Sequence, residues 1–152
     1  MFRGAHSLNL DTKGRLAVPS RYRHAIGERC GGQMVITVNN TKEHCLWLYP
    51  LDEWERVEAK LVALPSFDPN HQQLKRFLLG HACEVDMDGS GRLLLPAVLR
   101  DFAMMEKAVM LIGQGNKFEV WSADLWTAKR AQWLQETMDW DKLSVEMEQL
   151  AL

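Results

Sequence analysis

Two arginines in this sequence lie four residues after an aspartate and directly after a glycine, a spacing typical of a tight turn. The two sets are Asp11, Gly14 and Arg15, and Asp88, Gly91 and Arg92. An aspartate at the start of such a turn can accept hydrogen bonds from nearby backbone N–H groups, and the glycine allows the positive φ that closes it. The arginine then either pairs with its own aspartate and stabilises the turn, or donates paired hydrogen bonds to a partner such as phosphate or guanine.

Both sets belong to a thirteen-residue segment that occurs twice, at residues 11–23 and 88–100. The segments are DTKGRLAVPSRYR and DGSGRLLLPAVLR, identical at six positions and 77 positions apart. Two later pairs also match, residues 35–38 with 109–112 and residues 46–54 with 118–126. The offset falls to 74 and then to 72, as small deletions in connecting loops would cause. The chain is therefore predicted to contain two copies of one supersecondary unit.

Alternating apolar residues predict a strand on each side of both turns. The apolar positions are Leu8, Leu10, Leu16 and Val18 in the first copy, and Cys83, Val85, Met87, Leu93 and Leu95 in the second. Because side chains alternate between the faces of a strand, Arg15 and Arg92 are expected to point away from the apolar side. Each turn is expected to close a hairpin, and Pro19 and Pro96 to end it before a short helix.

Apolar residues at helical spacing predict a long helix at the end of each unit. The stripes are Trp54, Val57, Leu61 and Leu64 in the first copy, and Trp126, Trp133 and Leu134 in the second. Asp68 and Pro69 are a typical start for a further helix, and Ser122 is a candidate cap for the second long helix. The apolar pattern continues through Trp140, Leu143, Met147 and Leu150. The tryptophans either pack on the sheet of the same chain or form a contact between subunits.

Length and composition predict one structural body of the α+β class. The first repeat comprises residues 1–76, and the second repeat with a C-terminal helical tail comprises residues 77–152. Each repeat is small for a separate hydrophobic core, so the two are expected to be intertwined. A cytoplasmic protein is expected, because the apolar runs are shorter than a membrane span and no secretory leader opens the chain. Three cysteines without a C-x-x-C pair are typical of reduced thiols.

The charges are distributed unevenly along a chain whose net charge is −2. Residues 1–30 hold six basic and two acidic residues, whereas residues 132–152 hold five acidic residues and one lysine. The basic residues are Arg3, Lys13, Arg15, Arg21, Arg23 and Arg29. A basic surface around the first turn favours a polyanionic partner. One such surface is modest, so useful affinity for DNA would need several copies acting together.

The doubled D-x-x-x-R turn follows an N-terminal strand with the pattern F-R-G-x-x-x-h-x-h-D, where h is apolar, at residues 2–11. In these features the chain resembles the MraZ family of bacterial transcriptional regulators, relatives of the AbrB and MazE swapped-hairpin proteins, over nearly its whole length. The resemblance implies a double-split, swapped-hairpin β-barrel with flanking helices and a ring-shaped homo-oligomer at the nucleoid. It also implies binding to repeated sites in the promoter of the division and cell-wall gene cluster.

With this resemblance, Arg15 is the predicted base-contacting residue of a double-stranded DNA interface. A two-stranded ribbon fits the major groove, and arginine suits the O6 and N7 acceptors of guanine. The predicted phosphate contacts are Lys13, Arg21, Arg23 and Arg3. The predicted turn-organising residues are Asp11, Gly14, Asp88 and Gly91. Arg92 is a further candidate DNA contact, but Glu84 and Asp86 precede its turn, so the two turns are expected to differ.

Other kinds of site are excluded by spacing. Residues 86–91 match the first half of a calcium loop, but Ala97 occupies the twelfth position, where a glutamate is required. The pairs at residues 44–45 and 81–83 lack the spacing of a zinc finger, and no phosphate-binding or hydrolase motif is present. The sequence therefore predicts no enzyme, metal site, cofactor or small-molecule substrate.

The alternative function is an oligomeric protein-binding scaffold or an antitoxin-like module. In that case the doubled turn only builds the barrel, and the tryptophan- and methionine-rich tail binds a protein. Arginines on an outward face favour DNA, whereas the acidic tail favours a protein partner.

Overall fold

The computed structural model describes residues 1–39, 41–136, 145 and 149–150. Within these residues the chain forms eight strands and five helices, and each turn is flanked by two strands and followed by a short helix, as predicted. The elements of the first copy are β1 (Phe2–Asn9), β2 (Arg15–Ala17), α1 (Ser20–Cys30), β3 (Gln33–Val38), β4 (Leu46–Pro50), α2 (Leu51–Val62) and α3 (Pro69–Leu78). Those of the second are β5 (Cys83–Asp86), β6 (Arg92–Leu94), α4 (Ala97–Phe102), β7 (Ala108–Gly115), β8 (Phe118–Ser122) and α5 (Ala123–Gln135). The predicted apolar positions Trp140, Leu143 and Met147 lie outside the described residues.

Most helices begin where the local sequence predicts. α1 and α4 start directly after Pro19 and Pro96. Asp68 caps α3 by accepting a hydrogen bond from the Asn70 amide at 2.8 Å. The predicted side-chain cap at Ser122 is wrong, because this residue is also the buried end of β8 and its hydroxyl does not cap α5. None of the described helices is long and apolar enough to cross a membrane.

Six strands form one antiparallel sheet in the order β1-β7-β8-β4-β3-β5, and β2 and β6 pair as a separate two-stranded ribbon. β1 pairs with β7 over eight residues, from Phe2 opposite Gly115 to Asn9 opposite Ala108. β3 pairs with β5 in the equivalent way, and β4 pairs with β8. Both halves of the chain therefore contribute strands to the sheet and to the ribbon.

The prediction that each turn closes a hairpin is wrong. β1 and β2 flank the first turn, but they bond to β7 and β6. β5 and β6 flank the second turn, but they bond to β3 and β2. The alternation of apolar residues specifies which face a strand buries and carries no information on which strand lies beside it. Each turn instead redirects the chain from the six-stranded sheet into the ribbon.

The α+β class is confirmed, but no closed barrel is found among the described residues. β1 and β5 are the edges of the six-stranded sheet, and each is paired on one side. Within the described residues the sheet is open, since β2 and β6 pair with each other and not with those edges. The double-split, swapped-hairpin barrel that the resemblance implied is therefore not confirmed.

The main hydrophobic core lies between the ribbon and one face of the six-stranded sheet. Leu16 and Leu93 lie opposite each other in the ribbon, and both are 0 % exposed. They belong to one cluster with sheet residues that include Ile36, Leu48 and Val120. Burial of each such side chain stabilises the fold by roughly 1.5–3 kcal/mol. Apolar contacts on its inner side therefore hold the ribbon to the sheet, and its outer side faces solvent.

The two long helices pack on the sheet of the same chain. On the face opposite the ribbon, Trp54 of α2 packs with Tyr49 in a second apolar cluster. Trp126 and Trp133 of α5 contact Trp121 of β8 edge to face, each with ring centroids 5.8 Å apart. These two tryptophans therefore make contacts within the chain.

A buried carboxylate lies where β4 and β8 join the two halves of the sheet. Glu119 is opposite Trp47 in the β4–β8 pair and is almost fully buried. It accepts hydrogen bonds from the indole N–H groups of Trp47 at 3.4 Å and Trp121 at 3.2 Å, and from the Asn39 amide at 3.4 Å. Because buried polar atoms are costly without hydrogen-bond partners, this network satisfies the Glu119 carboxyl oxygens at the junction.

Leucines on the inner side of the ribbon should dominate its contribution to stability. Leu16→Ala and Leu93→Ala should each lower the free energy of unfolding by about 2–5 kcal/mol, because both side chains are fully buried. Leu94→Ala is the matched control, since Leu94 is the next residue on β6 and is 55 % exposed. It should change stability by less than about 0.5 kcal/mol. Urea denaturation followed by circular dichroism measures all three, and equal losses at Leu93 and Leu94 would contradict this description of the ribbon.

Candidate functional site

The first turn (residues 11–15) is organised by a single carboxylate. Oδ1 of Asp11 accepts hydrogen bonds from the backbone amides of Lys13 and Arg15, both at 2.9 Å. Oδ2 accepts a hydrogen bond from Nε of the Arg15 side chain at 2.6 Å. The Gly14 amide donates to the Asp11 carbonyl at 3.0 Å, and Gly14 has a φ of +82°, which glycine adopts without strain.

The second turn (residues 88–92) has the same hydrogen-bond pattern. Oδ1 of Asp88 accepts from the backbone amides of Ser90 and Arg92, both at 2.9 Å. Nε of Arg92 donates to Oδ2 at 3.0 Å, and Gly91 again has a positive φ. The two turns therefore share one geometry and differ in the residues around it.

Backbone donors keep both aspartates ionised. The hydrogen bond from the Arg15 amide is the largest of the effects that lower the pKa of Asp11 to about 2, and the Arg15 side chain and the Lys13 amide add to it. The equivalent bonds from the Arg92 amide, and then from other groups of the turn, lower the pKa of Asp88. At neutral pH each aspartate is therefore charged and attracts the guanidinium beside it.

Each arginine is held by its aspartate through one nitrogen and remains accessible. The side chains of Arg15 and Arg92 are 26 % and 35 % exposed. In the part of the chain that the structure describes, Nε of each guanidinium is hydrogen-bonded and the two Nη atoms are not. Pairing with the aspartate and donation to a partner are therefore compatible, because they use different atoms of the same group.

The register of the ribbon places both arginines on one surface. Arg15 lies opposite Leu94, and Ala17 lies opposite Arg92. Leu16 and Leu93, the middle residues of the two strands, are buried. The flanking residues therefore form the outer side of the ribbon; they are Arg15, Ala17, Arg92 and Leu94. Diagonal neighbours across antiparallel strands are about 7–8 Å apart. The two guanidinium groups therefore project from adjacent points of the ribbon.

The other predicted phosphate contacts are spread over a wider surface. Lys13 is exposed at the tip of the first turn. Arg21 is exposed at the start of α1, and its guanidinium lies 5.0 Å from the centre of the Tyr22 ring. Arg3 is exposed near the start of β1, about 20 Å from Asn9 at the other end of that strand. The structure therefore does not bring Arg3 to the first turn.

Arg23 is placed beside the second turn and not beside the first. Its Nε donates to the Val18 carbonyl at 2.6 Å, and its guanidinium lies against Gly91. Arg100, its counterpart in the second repeat, lies against Gly14 of the first turn. Arg100 was not among the predicted site residues. The signal was present, because Arg23 and Arg100 occupy the last identical position of the repeated segment.

The acids that precede the second turn face the other side of the molecule. Glu84 and Asp86 both line a groove beside Leu51 at the start of α2. Because α2 packs on the sheet face opposite the ribbon, these carboxylates do not belong to the outer side of the ribbon. The difference between the turns lies instead in their own residues, since Ser90 replaces Lys13. Among the described residues, no three His, Cys, Asp or Glu side chains converge as a metal site would require.

Fold and site together define an α+β protein in which two aspartate-organised turns, one in each half of the chain, adjoin a shared two-stranded ribbon. The family model described as "MraZ protein, putative antitoxin-like" matches residues 1–77 and again residues 78–144. The chain is 53 % identical over 153 residues to the transcriptional regulator MraZ of Halorhodospira halophila, with 100 % of both chains covered. Proteins of the same name from Thioalkalivibrio sulfidiphilus and Legionella pneumophila are 49 % and 48 % identical, again with 100 % of both chains covered. The chain belongs to the MraZ family, as its sequence motifs predicted.

The carboxyl group of Asp11 should titrate with a pKa of about 2 in the folded protein. This value lies below the ordinary pKa of 3.8. The charged carboxylate therefore stabilises the turn fully above about pH 3.8, and the stabilisation is lost as the pH falls through about 2. Carbon-13 NMR of the side-chain carboxyl group measures it directly.

The Arg15→Ala protein tests the cause of this shift. The Asp11 pKa should stay clearly below 3.8 in that variant, because the backbone amide of residue 15, and not its side chain, is the main donor. A return of the pKa to its ordinary value in Arg15→Ala would show that the side chain organises the turn.

Proposed function

We propose that this protein is a transcriptional regulator that binds double-stranded DNA sequence-specifically, with the outer side of the β2–β6 ribbon in the major groove. The observation that carries the proposal is the pair of aspartate-held arginines on a solvent-facing, two-stranded ribbon. The names of the relatives, all transcriptional regulators, support a role in transcription. We propose no catalytic activity, cofactor or small-molecule substrate.

The geometry suits contact with guanine. A two-stranded ribbon is narrow enough for the major groove, where guanine presents the O6 and N7 acceptors. Asp11 holds Nε of Arg15, which leaves the two Nη groups to donate. A side chain already fixed in this way loses less conformational freedom on binding, and this raises affinity. Arg15 is therefore the proposed base contact, and Arg92 is a second contact on the same surface.

Phosphate contacts would position the ribbon. Lys13 adjoins Arg15 at the tip of the first turn and is the strongest candidate for this role. Arg21 and Arg3 are exposed and can approach the backbone only where the DNA extends beyond the ribbon. Arg23, the remaining predicted phosphate contact, is bound to the Val18 carbonyl and covers a turn.

Affinity would come from several copies of the chain. The net charge of −2 limits the attraction of one subunit to DNA. We propose that the protein forms a ring-shaped homo-oligomer that binds repeated sites in the promoter of the division and cell-wall gene cluster, in the cytoplasm at the nucleoid. Each subunit would consist of the repeats 1–76 and 77–152 as one intertwined body, which the strand pairings between them support.

A gel shift separates this proposal from the alternative of a protein-binding scaffold or antitoxin-like module. The description of the matched family model includes the words "putative antitoxin-like". The protein should retard a duplex from the promoter of that gene cluster at concentrations where a random duplex of equal length stays free. Failure to retard either duplex would favour the scaffold.

Arg15→Ala should abolish specific DNA binding while the melting temperature and the oligomer mass stay nearly unchanged. Each lost guanine contact costs about 1–3 kcal/mol, and the loss is multiplied over the subunits that bind together. Arg92→Ala should have a smaller effect, because the second turn lacks a lysine. The matched control is Arg56→Ala on α2, whose side chain is 68 % exposed on the sheet face opposite the ribbon. If Arg15→Ala binds like the unmodified protein, Arg15 is not the base contact.

The dependence of affinity on salt should report the number of phosphates engaged. The logarithm of the affinity falls with the logarithm of the salt concentration by about 0.9 for each phosphate contact. An oligomer that binds through two or more subunits should therefore show a steep slope, and Lys13→Gln should reduce it by about one for each engaged subunit. Fluorescence anisotropy measures the slope, and light scattering measures the mass. A monomer mass, or a slope near zero, would contradict the proposal.

A further inference from the structure

Each turn is covered by an arginine that follows the other turn in the sequence. The guanidinium of Arg100 lies so close to Gly14 that a Cβ atom there would fall 2.6 Å from Cζ of Arg100. The side chain of Arg23 covers Gly91, where a Cβ atom would meet Nε first and would fall 2.5 Å from Cδ and 2.8 Å from Cζ of Arg23. Any side chain at either glycine would therefore displace the arginine.

The crossed arrangement follows from the register of the ribbon. Because Ala17 lies opposite Arg92, the next residue, Val18, lies beside the second turn. The Val18 amide donates to the Gly91 carbonyl at 2.8 Å and extends the pairing by one bond. The Val18 carbonyl accepts a hydrogen bond from Nε of Arg23 at 2.6 Å. Arg23 is thus anchored on its own repeat and reaches over the turn of the other.

The opposite end of the ribbon repeats these contacts. The Leu95 amide donates to the Gly14 carbonyl at 3.0 Å, and the Leu95 carbonyl accepts from Nε of Arg100 at 3.1 Å. Arg100 also lines one groove together with Asp11 and Gly14.

We propose that Arg100 is a positioning residue for the first turn and that Arg23 is the equivalent positioning residue for the second turn. The arginine side chain against the glycine restricts the segment from which Arg15 or Arg92 projects. Arg23, although it belongs to the basic N-terminal stretch, thus acts on the second turn. The effect on DNA contact rests on the proposed function, whereas the effect on the turns does not.

Hydrogen exchange of the full-length protein tests the positioning role without DNA. Arg100→Gln should speed amide exchange several-fold in the peptide that covers residues 11–15 and leave residues 88–92 unchanged. Arg23→Gln should do the reverse. Faster exchange in the turn of the same repeat, or in neither turn, would overturn the proposal. Circular dichroism identifies a variant that fails to fold, and the lysine variants then replace the glutamine ones in the same comparison.

Lysine variants separate positioning from direct contact with phosphate. A lysine keeps the charge but lacks the planar group that covers the glycine. The amides of the first turn should therefore exchange as fast in Arg100→Lys as in Arg100→Gln. If lysine instead restores both the slow exchange and the affinity for DNA, charge alone is sufficient and the proposal is wrong.

A gel shift with the same promoter duplex tests the effect of these variants on DNA binding. Arg100→Gln should weaken binding about tenfold, with the salt slope unchanged, because the first turn is displaced and no phosphate contact is removed. Arg23→Gln should weaken it less. A salt slope reduced by about one per subunit, with normal exchange in the first turn, would make Arg100 a phosphate contact instead. If the unmodified protein binds no DNA, the proposed function fails. The positioning role is still supported if Arg100→Gln speeds exchange in the first turn and Arg23→Gln speeds it in the second.

Discussion

The structure depends on the pairing of two three-residue strands, one from each repeat. Such short strands are marginally stable alone, so burial of Leu16 and Leu93 against the sheet must hold them together. The pairing fixes which side chains face outward and places each turn beside the end of the other repeat's strand. Contacts from the other half of the chain therefore complete each turn.

The two turns share a geometry but not an electrostatic character. The first turn carries one negative charge, on Asp11, and two positive charges, on Lys13 and Arg15, so its formal charge is +1. The second turn carries Asp88 and Arg92 alone and is formally neutral. Because the aspartate in each turn is neutralised by its own arginine, the additional lysine decides the attraction of the first turn for a phosphate backbone. The two turns can therefore share one backbone geometry and still differ in their attraction for DNA.

Local chemistry made part of this structure predictable from the sequence. The aspartate and glycine of each turn, the helices after Pro19 and Pro96 and the order of elements all depend on neighbouring residues, and the structure shows each of them. The pairing of the strands was not predictable from the sequence, because the alternation of apolar residues is the same whichever strand lies beside them. The placement of Arg100 beside Gly14 was not predictable for the same reason, since it depends on the register of strands that are far apart in the sequence.

The central claim is that the ribbon contacts guanine in the major groove, and the most direct test changes the DNA. Replacement of guanine by 7-deazaguanine removes the N7 acceptor and leaves Watson–Crick pairing intact. The unmodified protein should lose about 1 kcal/mol or more for each engaged subunit, whereas Arg15→Ala protein should bind both duplexes equally weakly. Equal affinity of the unmodified protein for the two duplexes would contradict the claim.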